Sequence, residues 1–364
     1  MSNKKSIMTI VIDGNWLLMS RLSILRMRIK DEDTLVKEVK LMMIKSINKL
    51  LRDIPQIDNV IFVADGGSWR NKISIPEFLK KEHITYKGNR EKDKDLDWDK
   101  IFKGYDEFID VLKDTGVCVS REKGIEGDDW CAYWSKLLNS KNTNCIIWSA
   151  DRDLTQLVKI DPKSKCFTAC WKKDAIVIES IDHTSDNEMD FFFNSYDSNE
   201  NQKLLETLCM KAKKVEEINP MDIVIDKINI HRIDKIIRGD LGDNILPVVY
   251  KKAKNPSSDK MFRVSQKELD LSLDITRLDE VNTYFEDLLN KKTWKDKAMS
   301  TLDEIVEHFF YNERLVWLDQ SQYPDEIIEK MTKHSIPVIN KDLSLAEHKI
   351  QAEKNDVYDV LEEI

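Results

Sequence analysis

Glycine is scarce in this chain. At the usual frequency of about 7% a protein of this length holds roughly 25 glycines, and this one has 10 in 364 residues. Eight of them, Gly14, Gly66, Gly67, Gly88, Gly124, Gly127, Gly239 and Gly242, lie within two residues of a charged motif, and none follows Gly242. Glycine permits tight turns and close backbone approach to a ligand, so its concentration at a few acidic turns marks places of interest. Long apolar runs are missing too. No stretch approaches the roughly 18 apolar residues of a membrane helix, and Ile7–Ile12 is too short for a signal-peptide core and ends in Asp13. It reads as a buried strand of a cytoplasmic protein. The six cysteines form no CxxC pair, which argues against a zinc site and for reduced core thiols. There is no HExxH, no phosphate-cradling Walker loop and no Ser/His/Asp arrangement. Asp13-Gly14-Asn15-Trp16 also lacks the second acid that a haloacid-type phosphatase needs.

What remains is a 41% hydrophobic composition, enough for a sizeable core, in one large domain or two modest ones. Short apolar runs alternate with helical patterns in the first half. Strands are predicted at Ile7–Ile12, Asn59–Ala64, Gly116–Val119 and Asn144–Ser149. Helical spacing links them over Leu35–Leu51, Trp98–Leu112 and Asp128–Leu138. A βαβ series of this kind predicts a mainly parallel sheet with helices on its faces. Lys165–Thr168 and Ala175–Ile178 predict a hairpin. The polar stretch His183–Gln202 predicts an insertion, and the chain beyond Met221 is helical over Ile223–Ile237, Leu278–Leu289, Leu302–Phe310 and Asp325–Met331. The acidic last twenty residues predict a solvated tail or peripheral helix.

Acids stand at the end of every one of the four strands. Asp13 follows the first in IVIDGNW and Asp65 the second in FVADGG. Glu126, Asp128 and Asp129 follow the third in GIEGDDW, and Asp151 and Asp153 the fourth in WSADRDLTQL. Taken singly, each is an ordinary helix cap or turn former. Together they are more. The carboxyl ends of parallel strands share one edge, where ligands bind, so seven carboxylates converge there. Like charges at one place need neutralising, and hard divalent cations on oxygen ligands do so. Such a cluster suits two-metal phosphodiester hydrolysis, with ions roughly 4 Å apart. A further pair, Asp240 and Asp243 in IIRGDLGDNI, has the spacing of one helical turn.

IDGNW, VADGGSWR, YKGNR, GIEGDDW, SADRDLTQL and RGDLGDN occur in the order found in the flap endonuclease family of structure-specific 5′ nucleases. The chain resembles that family over Asp13–Asp243, and in particular its ribonuclease H branch from T-even phages. The resemblance implies a PIN-like (Rossmann-like) α/β nuclease domain over residues 1–182 with a helical arch at about 68–100. It implies an insertion at 183–215 and a helical C-terminal domain at 216–364, with a helix-three-turn-helix-like duplex-binding element at about 230–270. It implies one tight metal site from Asp13, Asp65, Glu126, Asp128 and Asp151 and a looser one from Asp129, Asp153, Asp240 and Asp243. Two Mg²⁺ ions, replaceable by Mn²⁺, are the implied cofactors.

The resemblance also gives Lys87 and Arg90 of YKGNR the role of binding the scissile phosphate, and an anionic metal site needs such a cationic clamp. Tyr86 suits either stacking on a terminal base or core packing. Arg70, Lys80 and Lys81 are further phosphate-contact candidates. So is the basic run with Lys251, Lys252, Lys254 and Arg263, although it reads LPVVYKKAKN where the family has a glycine-rich PGVxGIG turn and a potassium-binding hairpin. The implied activity is a Mg²⁺-dependent 5′–3′ exonuclease and flap endonuclease with RNase H-type primer removal in DNA replication. Its substrates are DNA and RNA/DNA hybrids with 5′ ends or flaps, and the expected form is a monomer. A sliding clamp or single-strand binding protein follows as partner from the role alone. Two other classes compete. A nuclease-dead branched-DNA-binding module would gain by losing the carboxylates, and a PIN-type endoribonuclease lacks YKGNR and GDLGDN.

The net charge of −9 at first argues against a nucleic-acid partner. Yet the nine motif carboxylates account for it: setting them aside leaves 57 of the 66 acids against 57 bases.

Overall fold

The computed structural model describes residues 7–53, 57–82, 85–90, 93–160, 166–172, 175–177, 228–252, 261–270, 276–295 and 297–339. The expected insertion at 183–215, the acidic tail and the start of the helix expected at Ile223 lie outside the described residues. The chain divides into two compact units.

The first unit holds a seven-stranded sheet built from β1 (Ile7–Asp13), β2 (Asn59–Val63), β3 (Cys118–Ser120), β4 (Thr143–Trp148), β5 (Lys159–Ile160), β6 (Phe167–Lys172) and β7 (Ala175–Val177). Its order is β3-β2-β1-β4-β6, with β5 and β7 both pairing to the outer edge of β6. Pairs among β1, β2, β3, β4 and β6 are parallel, and only β5 and β7 run antiparallel. The β6–β7 pair is a hairpin as expected, but its first arm lies later than Lys165–Thr168: β6 pairs with β7 through Cys170–Lys172. Central strands buried on both faces need continuous apolar runs, which is why β1 reads IMTIVID and β4 TNCIIW.

Alternation along β1 sends Met8, Ile10 and Ile12 into the large core, where they meet α1 (Gly14–Leu25), α2 (Glu32–Asp53) and α3 (Trp98–Asp114). The apolar stripe of α3, Ile101, Tyr105, Phe108, Ile109 and Leu112, is buried there, with Phe108 edge-on to Phe62 at 5.6 Å between ring centres. Burying one such aromatic contributes about 1.5–3 kcal/mol. Two further helices belong to this unit, α4 (Gly127–Ser140) and the last helix of the described chain, Asp325–Ile339. They are tied together by the Tyr133–Ser335 hydroxyl pair at 2.8 Å and by His334, whose ring packs on Trp130 and whose Nε2 lies 3.0 Å from the Val119 carbonyl. The sequence placed this last helix in the C-terminal domain. These contacts place it in the sheet unit instead.

The second unit joins Trp69–Glu91 to Lys227–Gln322. It contains α5 (Ile228–Arg238), a short hairpin of β8 (Tyr250–Lys252) and β9 (Met261–Arg263), α6 (Leu278–Asn290) and α7 (Leu302–Val316). The Asp325–Ile339 helix of the first unit is therefore α8. A helix-three-turn-helix is expected to continue with a helix after the GDLGDN turn, and here β8 follows. The cause is local: Val248 and Val249 are β-branched and buried, and Tyr250 follows them, residues that favour an extended chain. The arch expected at about 68–100 is divided: segment 69–91 groups with this unit, its end hydrogen-bonded to the GDLGDN turn as described below, and the chain from Lys92 on groups with the first unit.

Candidate active site

β1, β2, β3 and β4 run parallel, so their carboxyl ends share one edge. Register puts Asp13 beside Val63 and Ile12 beside Trp148. The acids of four motifs therefore meet at one edge of one unit. Asp13 is 5% exposed. Its Oδ1 accepts the Trp16 N–H at 3.0 Å and so caps α1, while Oδ2 accepts the Ser149 hydroxyl at 2.8 Å. The cap reading and the ligand reading do not compete, because each carboxylate oxygen has a second lone pair. Burial pushes the Asp13 carboxyl up to about 7, and the like charges of Asp65 and Asp151 add to the push against the two hydrogen bonds.

Asp65 is held at both oxygens. Oδ1 accepts the Gly127 N–H and Oδ2 the Asn15 amide, each at 2.6 Å. Glycine at 127 keeps this contact uncrowded, since a Cβ there would sit 3.1 Å from Asp65 Oδ1. Glu126 is buried and accepts the Ser68 hydroxyl at 2.8 Å. Asp128 opens α4, and Asp151 Oδ1 accepts the Asp153 N–H at 2.9 Å. Asp129 is fully buried, and its Oδ2 accepts the Glu126 N–H at 3.2 Å in a capping box.

Among the described residues no three carboxylate, imidazole or thiol groups stand together as a ready-made ligand shell. The donor chemistry nonetheless fits a hard cation. It offers only carboxylates, and it includes a buried one whose ionisation is opposed by two like charges.

YKGNR and GDLGDN both lie in the second unit, and there they clasp each other. The Lys87 N–H donates to the Asp243 carbonyl at 2.8 Å, the Asn89 amide to the Leu241 carbonyl at 2.6 Å, and the Asn244 amide to the Thr85 carbonyl at 2.8 Å. Arg90 donates through Nε to the Gly242 carbonyl at 3.3 Å and through Nη2 to Asp243 Oδ1. Lys235 of α5 completes the set, with Nζ 2.6 Å from Asp243 Oδ2 and 3.0 Å from Asp240 Oδ2. Burial opposes ionisation of Asp243, but Lys235, Lys87 and Arg90 outweigh it and hold the carboxyl below its usual range.

A family model described as "5′-3′ exonuclease, N-terminal resolvase-like domain" matches residues 8–186. Over residues 8–186 the chain belongs to the 5′–3′ exonuclease family. It is accordingly a nuclease, an enzyme that cuts phosphodiester bonds. Among solved structures it is similar to the T5 D15 protein co-crystallised with metal ions, at 17% identity and a TM-score of 0.52 over 91% of this chain and 98% of that one. A T5 5′-exonuclease structure with zinc bound is also similar, at 16% identity and a TM-score of 0.46 over 97% and 98% of the two chains. The first of these supports the fold. No curated protein matches the sequence.

Other expected contact residues of this exonuclease take varied places. Arg70 is 2% exposed with its guanidinium 4.7 Å over the Trp69 ring, a packed position in place of the exposed phosphate contact expected of it. Lys80 pairs with Glu77 on an exposed turn. Lys87 Nζ sits 4.9 Å over the Tyr86 ring. Lys251 lies over Trp294 and donates to the Thr293 carbonyl at 3.1 Å, and Arg263 donates to the Arg238 carbonyl at 3.0 Å. Lys81 and Lys252 are placed by backbone alone, and Lys254 lies outside the described residues. Sequence reasoning did not single out Asn15, Ser68, Ser149 or Lys235. Asn15 had a signal, since it sits inside the IDGNW motif. Lys235 had none, being one lysine among many.

Proposed function

We propose that this exonuclease is a divalent-metal-dependent, structure-specific 5′ nuclease that removes flaps and RNA primers from DNA during replication. Mg²⁺ is its proposed ion, with Mn²⁺ able to substitute. The observation that carries the reading is Asp13: a buried carboxylate beside Asp65 and Asp151, at the sheet edge where parallel strands present ligands. Asp13, Asp65, Glu126, Asp128 and Asp151 would hold the ion of the tight site. When bound, two ions supply activation of water and stabilisation of the leaving oxygen. Asp129, Asp153, Asp240 and Asp243 are proposed for the looser site, where a helix cap engages Asp129 and two lysine-centred ion pairs engage Asp240 and Asp243.

The protein's own groups do the rest. Asn15, Gly127, Trp16 and Ser149 fix the orientation of Asp13 and Asp65 through hydrogen bonds. Lys87 and Arg90 are the proposed cations for the charge that develops on the scissile phosphate, and Tyr86, under the Lys87 ammonium, is their neighbour for a terminal base. The T5 flap endonuclease was crystallised with DNA and metal ions, and DNA with 5′ ends or flaps is the proposed substrate here as well, with RNA/DNA hybrid beside it.

The test is cleavage of 5′-labelled flap, nicked duplex and RNA/DNA hybrid with and without Mg²⁺. Release of 5′ fragments that stops on chelation is expected. Intact substrates in both Mg²⁺ and Mn²⁺ would overturn the proposal.

A further inference from the structure

The clasp between YKGNR and GDLGDN has a buried lysine at its centre. Lys235 is 6% exposed, so its ammonium is out of reach of a phosphate. It lies against two carboxylates, and one of these, Asp243, bridges it to Arg90. The four groups balance as two cations and two anions. Arg90, by contrast, keeps 57% of its side chain exposed while its Nε and Nη2 are engaged in the turn. Lys87 stands in the left-handed region at φ +57, a conformation that is strained for a non-glycine residue and persists only where surroundings over-determine it. Here the Lys87 N–H is bonded to the Asp243 carbonyl, and the bonds of Asn89 and Asn244 pin the same turn from both sides.

We infer that Lys235 is a positioning residue for the nuclease reaction: by holding the Asp240 and Asp243 carboxylates it fixes the turn that sets the backbone of Lys87 and the guanidinium of Arg90. The inference rests on the reading of Lys87 and Arg90 as the phosphate cations. Removing the ammonium leaves Asp243 with only Arg90 and Lys87 to balance it, which draws Arg90 inward and loosens the Lys87 turn. A misplacement of about 1 Å of a group acting on the reacting phosphate lowers turnover by about a hundredfold.

The experiment compares full-length Lys235→Met, Lys235→Arg, Asn244→Ala, Lys87→Ala and Arg90→Ala. Each variant is assayed for kcat and KM on a 5′ flap with Mg²⁺ and for thermal melting, and the wild type and the Lys235 and Asn244 variants also for the rate of trypsin cleavage after Lys87 and Arg90. Lys235→Met is expected to lower kcat by about a hundredfold with KM little changed, and to speed trypsin cleavage at those two sites. Lys235→Arg restores much of kcat because it returns a cation to the two carboxylates. Asn244→Ala, which leaves every charge in place, moves kcat and trypsin cleavage in the same direction by less.

Wild-type kcat in a folded Lys235→Met protein overturns the inference. If that variant fails to fold, Asn244→Ala decides, and faster trypsin cleavage with unchanged kcat then overturns it. Unchanged kcat in both Lys87→Ala and Arg90→Ala instead removes the phosphate-cation reading itself, whatever Lys235 does.

Discussion

Asn15 and Asp65 hold each other through two reciprocal hydrogen bonds. The Asn15 amide donates to Asp65 Oδ2 at 2.6 Å, and the Asp65 N–H donates back to Asn15 Oδ1 at 3.1 Å. Tyr105 adds a third bond, its hydroxyl 3.2 Å from the same Asn15 oxygen. The end of β1 and the end of β2 are thereby locked at the point where each presents an acid.

Asn15→Ala is expected to weaken divalent-metal affinity and cleavage by about 10–100-fold, the usual effect of removing a group that orients a metal ligand. Mn²⁺ titration by calorimetry, set beside cleavage rates, checks this. Unchanged affinity would show that Asp65 needs no help to stay in place.

Gly127→Ala places a methyl 3.1 Å from Asp65 Oδ1 and pushes against the bond that carboxylate accepts from the Gly127 N–H. Loss of activity larger than loss of stability is the expected pattern: at least tenfold in cleavage, with a shift of about 1 kcal/mol or less in unfolding free energy. Denaturant melts and flap cleavage on the same preparation separate the two.

Asp13 makes the metal-free protein sensitive to pH. Its folded value, near 7, lies above the ordinary 3.8, so the folded state holds the proton longer than the unfolded chain does. Its contribution is present below about pH 4 and is lost as pH rises through 7. Asp13→Asn should therefore raise the melting temperature relative to wild type at pH 8 more than at pH 4.5 in chelator, while abolishing cleavage. A difference of the same size at both pH values would contradict the assignment.

His308 and Glu313, both on α7, oppose each other. Burial pushes the His308 imidazole down to about 4, and its ring sits 6.0 Å from Phe78. Burial pushes Glu313 up to about 7 against the pull of Arg232. The His308 contribution is lost as pH falls from 6.5 through 4, and that of Glu313 is lost as pH rises from 4.5 through 7. Between pH 4.5 and 6.5 their slopes cancel. In urea melts across that window, Glu313→Gln should gain stability with rising pH relative to wild type, and His308→Leu should lose it. Parallel curves for all three proteins would remove the pairing.

Much of the first unit was readable in the chain itself. Strand runs such as IMTIVID and TNCIIW are buried on both faces, and the helical spacing of Ile101, Tyr105, Phe108 and Leu112 has one core-facing solution. Four parallel strands end at one edge, so the motifs that follow them were expected there, although among the described residues no three of their acids stand together as a ligand group.

Period and propensity are local properties, so the sequence by itself determined the strands β1–β4 and the helices α2, α3 and α4 that link them. Only the tertiary structure decided which hydrogen bonds those acids accept. It also decided that Asp13 caps α1 while lying buried, that β8 follows the GDLGDN turn, that α8 belongs with the sheet, and that Lys235 sits between Asp240 and Asp243. Those outcomes depend on groups up to 215 positions apart, such as Val119 and His334. Burial and partner choice arise from the packed whole, and no single stretch of residues encodes them.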